Sequence, residues 1–387
     1  MSAAAERLAL GLADLDRREL RRTRRVLDSP QGARVRLDGR TLVNFSSNDY
    51  LGLAADARLR EAAIRAIDQY GTGAGASALV SGHLRVHHEA EERFAEFAGL
   101  PRALLFGNGY LANLGILAAL GDRDAHVFSD ALNHACLIDG ARLSRAQVTV
   151  YPHRDLGALA EALAASKASV RIVATDAVFS MDGDVVPVPQ LVELCERYDA
   201  WLVLDDAHGI GVLGATGRGT LEHFGARSSR IVYMATLGKA LGGYGAFVAG
   251  DSRLVEWLVQ RARTYIYSTA LPPMAAAVAM RALEVVSEDP SPLRNLRARI
   301  GELRAALERI GFRGDITPTA IQPVILGTAP RALEASTRLA AQGFLVPAIR
   351  PPTVPDGTSR LRISLCAAHD ASDIAALVSA LAGDLAP

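Results

Sequence analysis

Lysine is nearly absent from this sequence. Only Lys167 and Lys239 are lysines, and the other 40 basic residues are arginines. Arginine stays protonated near neutral pH, whereas a lysine amine can become neutral and nucleophilic. A lysine retained in such a chain is therefore a candidate for covalent chemistry that arginine cannot perform.

The sequence also lacks a charge excess, a cysteine pair and a long apolar run. Its 42 basic and 42 acidic residues balance, which argues against a nucleic-acid or membrane-surface partner. The three cysteines, Cys136, Cys195 and Cys366, are far apart, so we expect neither a disulfide framework nor a metal site. No segment approaches the roughly 18 apolar residues of a membrane span, and the first residues do not resemble a signal peptide. A cytoplasmic enzyme acting on small molecules is expected.

The order of apolar and polar segments predicts an α/β fold. Residues 5–25 have the pattern of an amphipathic helix. From about residue 55 to 250, helical patterns alternate with seven apolar strands: RALLF, DAHVFSD, AQVTVY, VRIVATDAV, AWLVLDDAH, RIVYMAT and GAFVAG. Such alternation predicts a mostly parallel central sheet flanked by helices. Helices at about 272–310, strands AIQPVILG and SRLRISL and a helix from about 370 predict a smaller C-terminal α/β domain. We predict an N-terminal helical segment at 1–45, a large domain at 46–280 and a small domain at 281–387.

The two lysines occupy different settings. Lys167, in ALAASKASVRIV, falls at a predicted helix end, where a cation faces water and complements the helix dipole. Lys239, in TLGKALGGYG, follows the strand IVYMAT and precedes a glycine-rich stretch, which is typical of a loop at the edge of a sheet. We therefore predict that Lys239 bonds covalently to pyridoxal 5′-phosphate (PLP).

Two polar residues at the end of the segment AWLVLDDAH suit a pyridine ring. Ligands of open α/β sheets bind beyond the carboxyl ends of strands. There Asp205 can pair with a protonated ring nitrogen, which PLP needs in order to accept electrons. His208 can hydrogen-bond the ring hydroxyl, or alternatively cap the following turn. Strand alternation points Asp206 to the other face, where satisfying backbone donors is the alternative role.

A phosphate site is predicted at the start of a helix. The strand RALLF and the helix YLANLGILAAL are joined by Gly107, Asn108, Gly109 and Tyr110. Backbone N–H groups at a helix N-terminus bind phosphate, and glycine permits close approach. A plain turn is the alternative.

Three further side chains can complete a cofactor site. Thr236 precedes Lys239 by three positions and offers a hydroxyl, as does Ser180 after another strand. His134, in DALNHACLIDG, is expected at a helix start, where its ring can stack on a pyridine and donate hydrogen bonds. Each of these alone is compatible with a structural role.

A glycine pattern offers a competing interpretation. Gly209, Gly211 and Gly214 form a GxGxxG string after a strand, as in dinucleotide-binding proteins. The following ATGRGT is not a clear helix, and no acidic residue ends a second strand about 20 positions later, as ribose binding requires. We therefore expect no dinucleotide site.

Taken together, these segments resemble the α-oxoamine synthases. The motifs NFSSNDYLGL, GTGAGASALVSG, FGNGY, DALNHACLIDGARLS, VFSMDGD, DDAHGIGVLG and TLGKALGGYGA span essentially the whole chain in the family's order. The resemblance implies a PLP-dependent transferase of the aspartate aminotransferase type (fold type I). It also implies that Lys239, Asp205, His208 and His134 are catalytic and contact PLP. Further cofactor contacts would come from Gly109, Tyr110, Ser180 and Thr236.

The C-terminal string AIRPPTVPDGTSRLRISLCAAH, together with TAIQPVILG, is similar to the biotin-pathway branch, which joins L-alanine to a pimeloyl thioester. Asn133 departs from that branch, because LNHA is commoner in relatives that use glycine or serine. A non-catalytic accessory subunit is a more distant alternative, which the presence of Lys239 opposes.

The resemblance also assigns substrate contacts and an assembly. Arg21, or Arg22 in another register, and Thr353 would contact substrate, Asn48 would line the site, and Arg350 would hold the amino-acid carboxylate. A homodimer with shared active sites is implied. The basic run 17–25 leaves both coenzyme A and a carrier protein open as the acyl donor.

Overall fold

The computed structural model describes residues 2–312 and 317–382. The helices are α1 Ala3–Arg17, α2 Ala57–Tyr70, α3 Arg85–Ala98, α4 Gly109–Leu120, α5 Ala135–Ser144, α6 Leu156–Ala165, α7 Val188–Arg197, α8 Thr220–Phe224, α9 Ser252–Arg261, α10 Arg263–Ile266, α11 Pro273–Glu288, α12 Ser291–Arg309, α13 Ala329–Ala341 and α14 Ala371–Leu381, with a π-helical turn at Ala78–Gly82. The strands are β1 Arg34–Leu37, β2 Arg40–Asn44, β3 Arg102–Phe106, β4 Ala125–Asp130, β5 Gln147–Tyr151, β6 Val170–Asp176, β7 Ala200–Asp205, β8 Ile231–Thr236, β9 Ala246–Gly250, β10 Ile321–Gly327, β11 Phe344–Leu345, β12 Ala348–Ile349 and β13 Ser359–Ser364.

A seven-stranded sheet forms the core of the larger of two compact units. Its order is β3-β9-β8-β7-β6-β4-β5, and only β9 runs antiparallel to its neighbours. The inner strands are buried on both faces, which is why the sequence gives them nearly continuous apolar runs. All seven predicted strands and the mostly parallel arrangement are confirmed.

The smaller unit contains two three-stranded sheets, ordered β1-β2-β11 and β10-β13-β12. The strands β10 and β13 and the closing helix α14 were predicted. The hairpin β1-β2 was not, because residues 34–44 were assigned to a helical segment. That assignment is wrong for these residues. Helix α1 is also shorter than the predicted 5–25: it ends at Arg17, and Glu19 has a left-handed backbone.

The two units divide the chain differently from the predicted domains. The larger unit comprises residues 49–180 and 184–296, and the smaller comprises 1–48, 181–183 and 297–387. Residues 1–48 thus group with the C-terminal part of the chain. The three-part division stays a prediction. No helix in the described ranges is long and apolar enough to cross a membrane.

His153 links two carboxylates in the larger unit. Its Nδ1 lies 2.9 Å from Asp130 Oδ1, and its Nε2 lies 2.8 Å from Asp184 Oδ2. Burial alone would lower the pKa of His153, but these hydrogen bonds outweigh it and raise the pKa to about 9. Because this value lies above the ordinary one, the bridge stabilises the fold fully below about pH 6.5 and less as pH rises through about 9.

We expect the melting temperature of the native protein to fall between pH 7 and pH 9.5 by more than that of His153→Gln. The variant should melt about 2–6 °C lower than the native protein at pH 7. The measurement is thermal unfolding across pH, with exposed His223→Gln as the control. Parallel pH curves for native and His153→Gln protein would contradict this role.

Candidate active site

The carboxyl ends of several parallel strands bring the predicted residues to one edge of the large sheet. Asp205 is the last residue of β7 and lies in register with Asp176, the last residue of β6. Thr236 ends β8, with Lys239 in the loop that follows, and His134 caps α5 after β4. This edge is where open α/β sheets bind ligands.

Lys239 contacts a histidine that is itself held in place. The Lys239 Nζ lies 3.0 Å from His208 Nε2, and the Tyr50 hydroxyl lies 2.7 Å from His208 Nδ1. Tyr50 is fully buried. Both ring nitrogens of His208 are therefore engaged, which fixes the orientation of the imidazole beside the amine.

Asp205 is buried among neutral donors. Its Oδ2 accepts a hydrogen bond of 2.6 Å from Asn113 Nδ2, and its Oδ1 accepts one of 2.9 Å from the Ala207 amide. Its exposure is 3%. The amide of Asn113 also lies 3.1 Å from Cys136 Sγ, and burial raises the pKa of that thiol. A carboxylate in this setting can pair with a cation supplied by a ligand.

Asp206 has a different role, as strand alternation predicted. It accepts 2.7 Å hydrogen bonds from the Thr220 amide and the Tyr233 hydroxyl. Burial raises the pKa of Asp206 to about 7. Asp206 therefore holds the start of α8 against β8, and this structural role differs from that of the adjacent Asp205.

His134 is positioned by its backbone. Its N–H donates to Asp176 Oδ2 at 2.6 Å, and its Nδ1 accepts from the Cys136 amide at 3.2 Å. Burial lowers the pKa of His134, although the charge of Asp205 opposes this. Burial, and to a smaller extent the negative charge of Asp205, raises the pKa of Asp176. Burial therefore favours the neutral form of the His134 imidazole, which can still donate a hydrogen bond from one ring nitrogen.

Asn133, the departure noted in the sequence, supports this arrangement. Its side-chain amide donates to Ser129 Oγ at 2.9 Å and to the Ala174 carbonyl at 2.7 Å, and its Oδ1 accepts from the Asp176 amide at 3.0 Å. It therefore ties β4 to β6 immediately before His134.

The predicted phosphate site is formed by the start of α4. Asn108 caps the helix by accepting from the Leu111 amide at 2.9 Å. A Cβ atom on Gly109 would lie 2.6 Å from Thr236 Cγ2, so only glycine permits this approach of α4 to the end of β8. The Tyr110 ring lies 6.5 Å from the His134 ring, edge-on, and its hydroxyl donates to Asp139. Ser180 follows β6 in the same unit.

The predicted substrate residues belong to the smaller unit, except for His134, which is in the larger unit. Thr353, Arg21, Arg22 and Arg350 line one cavity of about 690 Å³. Arg22 Nη2 lies 3.3 Å from Thr353 Oγ1, whereas Arg21 pairs with Asp16 at 2.7 Å. The guanidinium of Arg350 donates to the carbonyl oxygens of Glu19 and Arg21. Asn48 lies in the loop after β2.

The sequence interpretation missed Tyr50, Asn113, Cys136 and Asp176. Asn113 had a usable signal, because an amide within the apolar helix YLANLGILAAL must find a buried partner. Asp176 also had one, since it ends a predicted strand. Tyr50 and Cys136 carry no such local signal.

Comparison with known proteins places the chain in a family. The model described as "Aminotransferase class I and II" matches residues 40–381. The chain belongs to the class I and II aminotransferase family. Within this family, it is 53% identical to the 8-amino-7-oxononanoate synthase of Methylococcus capsulatus, over 97% of each chain. The predicted membership of the α-oxoamine synthases, on the biotin-pathway branch, is thereby confirmed.

Solved structures of the family agree with the fold. The structure of SPT, a serine palmitoyltransferase, with PLP has a TM-score of 0.92 at 26% identity, covering 99% of this chain and 98% of that one. The 8-amino-7-oxononanoate synthase of Francisella tularensis has a TM-score of 0.78 at 28% identity, covering 89% and 97%. The predicted aspartate aminotransferase fold and PLP cofactor are confirmed.

The residues of this family member fit PLP. The close approach of Gly109 to Thr236 brings the start of α4, whose backbone N–H groups suit a phosphate, next to the end of β8. The buried carboxylate of Asp205 suits a protonated ring nitrogen, and Lys239 supplies the amine.

Asn113→Leu should lower kcat about 10- to 100-fold, because a hydrogen bond to a charged group contributes about 1.5–3 kcal/mol. Asn113 is a positioning residue that acts through Asp205. The variant should also release PLP faster, as measured by dialysis and absorbance. Ile116→Val, at another fully buried position of α4, controls for lost packing. Equal PLP release and kcat in both variants would contradict the role.

Proposed function

We propose that this protein condenses L-alanine with a pimeloyl thioester to give 8-amino-7-oxononanoate, carbon dioxide and free thiol, as a PLP-dependent acyltransferase of biotin biosynthesis. The observation that carries the reaction type is the contact of Lys239 Nζ with His208 at the sheet edge that also holds Asp205 and His134. The 53% identity to an 8-amino-7-oxononanoate synthase supports the choice of substrates.

Each site residue has a distinct task in this proposal. When bound, PLP withdraws electrons from the amino-acid Cα. Asp205 would face the ring nitrogen and favour its protonated form, and His208, fixed by Tyr50, would contact the ring hydroxyl. Lys239 would hold the cofactor, and its amine would serve as the base for the amino-acid Cα proton. His134 would stack on the ring and donate a hydrogen bond to the oxygen that becomes negative in the acyl transfer.

The bonds balance without an external oxidant. A C–C bond forms between alanine Cα and the thioester carbonyl carbon, and the C–S bond breaks to release the thiol. The alanine carboxylate then leaves as carbon dioxide, and a proton returns to the same carbon. For Arg350 to bind the amino-acid carboxylate, its guanidinium must exchange the carbonyls of Glu19 and Arg21 for it.

A matrix of amino acids and thioesters tests this function. Purified protein is mixed with alanine, glycine or serine and with acetyl, succinyl, palmitoyl or pimeloyl thioesters, and thiol release is measured. Alanine with pimeloyl thioester should exceed every other pair at least tenfold in kcat/KM. A preference for glycine or serine with another acyl group would overturn the substrate assignment.

The second candidate is such a related condensation, as performed by 2-amino-3-ketobutyrate CoA ligase. It is favoured by Asn133 and by the fold similarity to SPT. Because the Asn133 side chain bonds within the strand ends, it supports His134 rather than selecting an amino acid. We therefore retain alanine as the proposed substrate.

The acyl donor, assembly and location form a further part of the proposal. Arginines of the segment 17–25 are suited to a phosphate-bearing donor. Separate matrix rows with coenzyme A and carrier-protein thioesters identify which donor is used.

We propose a homodimer, to be tested by light scattering, in which residues 71–82 reach the neighbouring active site. A cytoplasmic location is expected.

A further inference from the structure

Two histidines and a glutamate meet at the start of α3, among residues to which the proposed reaction assigns no role. One ligand atom from each of His83, His88 and Glu91 lies within 4.8 Å of the others. His83 Nε2 is 3.8 Å from Glu91 Oε2. His88 and Glu91 are three residues apart on α3 and so share one face of the helix. His83 follows the π-helical turn Ala78–Gly82 and lies two residues before Arg85, the first residue of α3.

Glu91 is the buried member of this group. Its side chain is 14% exposed, compared with 32% for His83 and 51% for His88. One oxygen, Oε1, accepts a hydrogen bond of 3.0 Å from the Leu105 amide, whereas Oε2 is the oxygen nearest His83. The backbone thus orients the carboxylate toward the imidazoles.

The neighbouring His87 does not belong to the group, because both its ring nitrogens are engaged. Its Nδ1 lies 2.9 Å from the Leu84 amide, and its Nε2 lies 2.6 Å from the Leu271 carbonyl. These bonds fix the chain between His83 and α3. The positions of His83 and His88 are therefore set by the backbone.

We propose that His83, His88 and Glu91 bind Zn²⁺ or another late first-row transition metal ion. Two imidazoles and one carboxylate are a known ligand set for zinc, with water completing the tetrahedron. Imidazole ligands favour such metals over magnesium or calcium. The ion would tie the end of the glycine-rich segment 71–82 to α3, so we assign it a stabilising role and no part in the acyl transfer.

Other charged groups lie close to the three side chains, and Glu92 Oε1 is 3.4 Å from His88 Nε2. Burial raises the pKa of Glu91 to about 7, against the opposing effects of the Leu105 amide and Arg102 on β3. Tyr265 on α10 also faces Glu91. Burial, followed by the charges of His87 and His88, lowers the pKa of His83.

The test uses tag-free, PLP-loaded, full-length protein. Zn²⁺ binding is measured by competition with a chromogenic chelator, and thermal unfolding is recorded with and without Zn²⁺. We expect one ion per chain at this site and a rise in melting temperature. His83 and His88 are exposed, and the variants His83→Gln and His88→Gln should each lower the Zn²⁺ affinity at least tenfold. Zn²⁺ should then no longer raise the melting temperature.

The exposed His223→Gln variant is the matched control and should bind like the native protein. Cofactor absorbance verifies that every variant is folded and loaded. Native-like Zn²⁺ affinity in either His83→Gln or His88→Gln, or no binding by the native protein at pH 8, would overturn the proposal. Neither result bears on the acyl transfer, which is measured separately.

Discussion

Lys239→Ala should eliminate the visible absorbance of the lysine-bound cofactor and lower turnover at least about 10³-fold, since a positioned general base alone contributes 10²–10⁴-fold. Lys239→Arg should fail equally. An arginine keeps the positive charge beside His208, but it cannot bond covalently to a carbonyl cofactor or accept the Cα proton at neutral pH. Steady-state thiol release and an absorbance spectrum of the purified variants measure both effects.

Because the chain has only two lysines, the lysine that binds the cofactor can be identified directly. After borohydride reduction, the cofactor mass should be found on one of two possible lysine-containing peptides, the one with Lys239. Lys167→Ala is the matched control, because Lys167 is exposed just beyond α6 and should change neither spectrum nor turnover. Retained absorbance and turnover in Lys239→Ala would refute the assignment.

Most of the large sheet could be predicted because its inner strands are buried on both faces. Such strands form contiguous apolar runs, as in AWLVLD of β7, where five of the six residues are buried. The hairpin β1-β2 was missed for the opposite reason. Its strands are short, partly exposed and carry arginines: RVRL alternates between arginine and apolar residues over only four positions, and RTLVN does not alternate.

The predicted site followed from residues that end strands or start helices. Asp205 ends β7 and His134 caps α5, whereas Lys239 lies in the glycine-rich loop directly after β8; local patterns reveal all three positions. Their supports could not be assigned in this way. Asn113 is 92 positions from Asp205, and Tyr50 is 158 positions from His208, so these contacts exist only after the sheet and helices have packed. Local sequence therefore indicates which groups react, and long-range packing determines how they are held.

Asp205→Asn should lower kcat about 10²- to 10³-fold, the usual effect of removing one preorganised electrostatic partner. The substitution keeps the side-chain shape but removes the charge that stabilises a protonated pyridine nitrogen. It should also weaken PLP binding, as measured by equilibrium dialysis. Circular dichroism should be unchanged, because asparagine has the same shape and its one side-chain oxygen can still accept from the Ala207 amide.

Asp206→Asn is the decisive comparison, because the two aspartates are adjacent, buried and equal in size. Asp206 bonds to Thr220 and Tyr233, so its substitution should cost about 1 kcal/mol of stability and change kcat less than about threefold. Asp205→Asn should therefore mainly lower kcat, whereas Asp206→Asn should mainly lower the melting temperature. If Asp206→Asn lost activity and Asp205→Asn kept it, the assignment of the ring-nitrogen partner would have to be reversed.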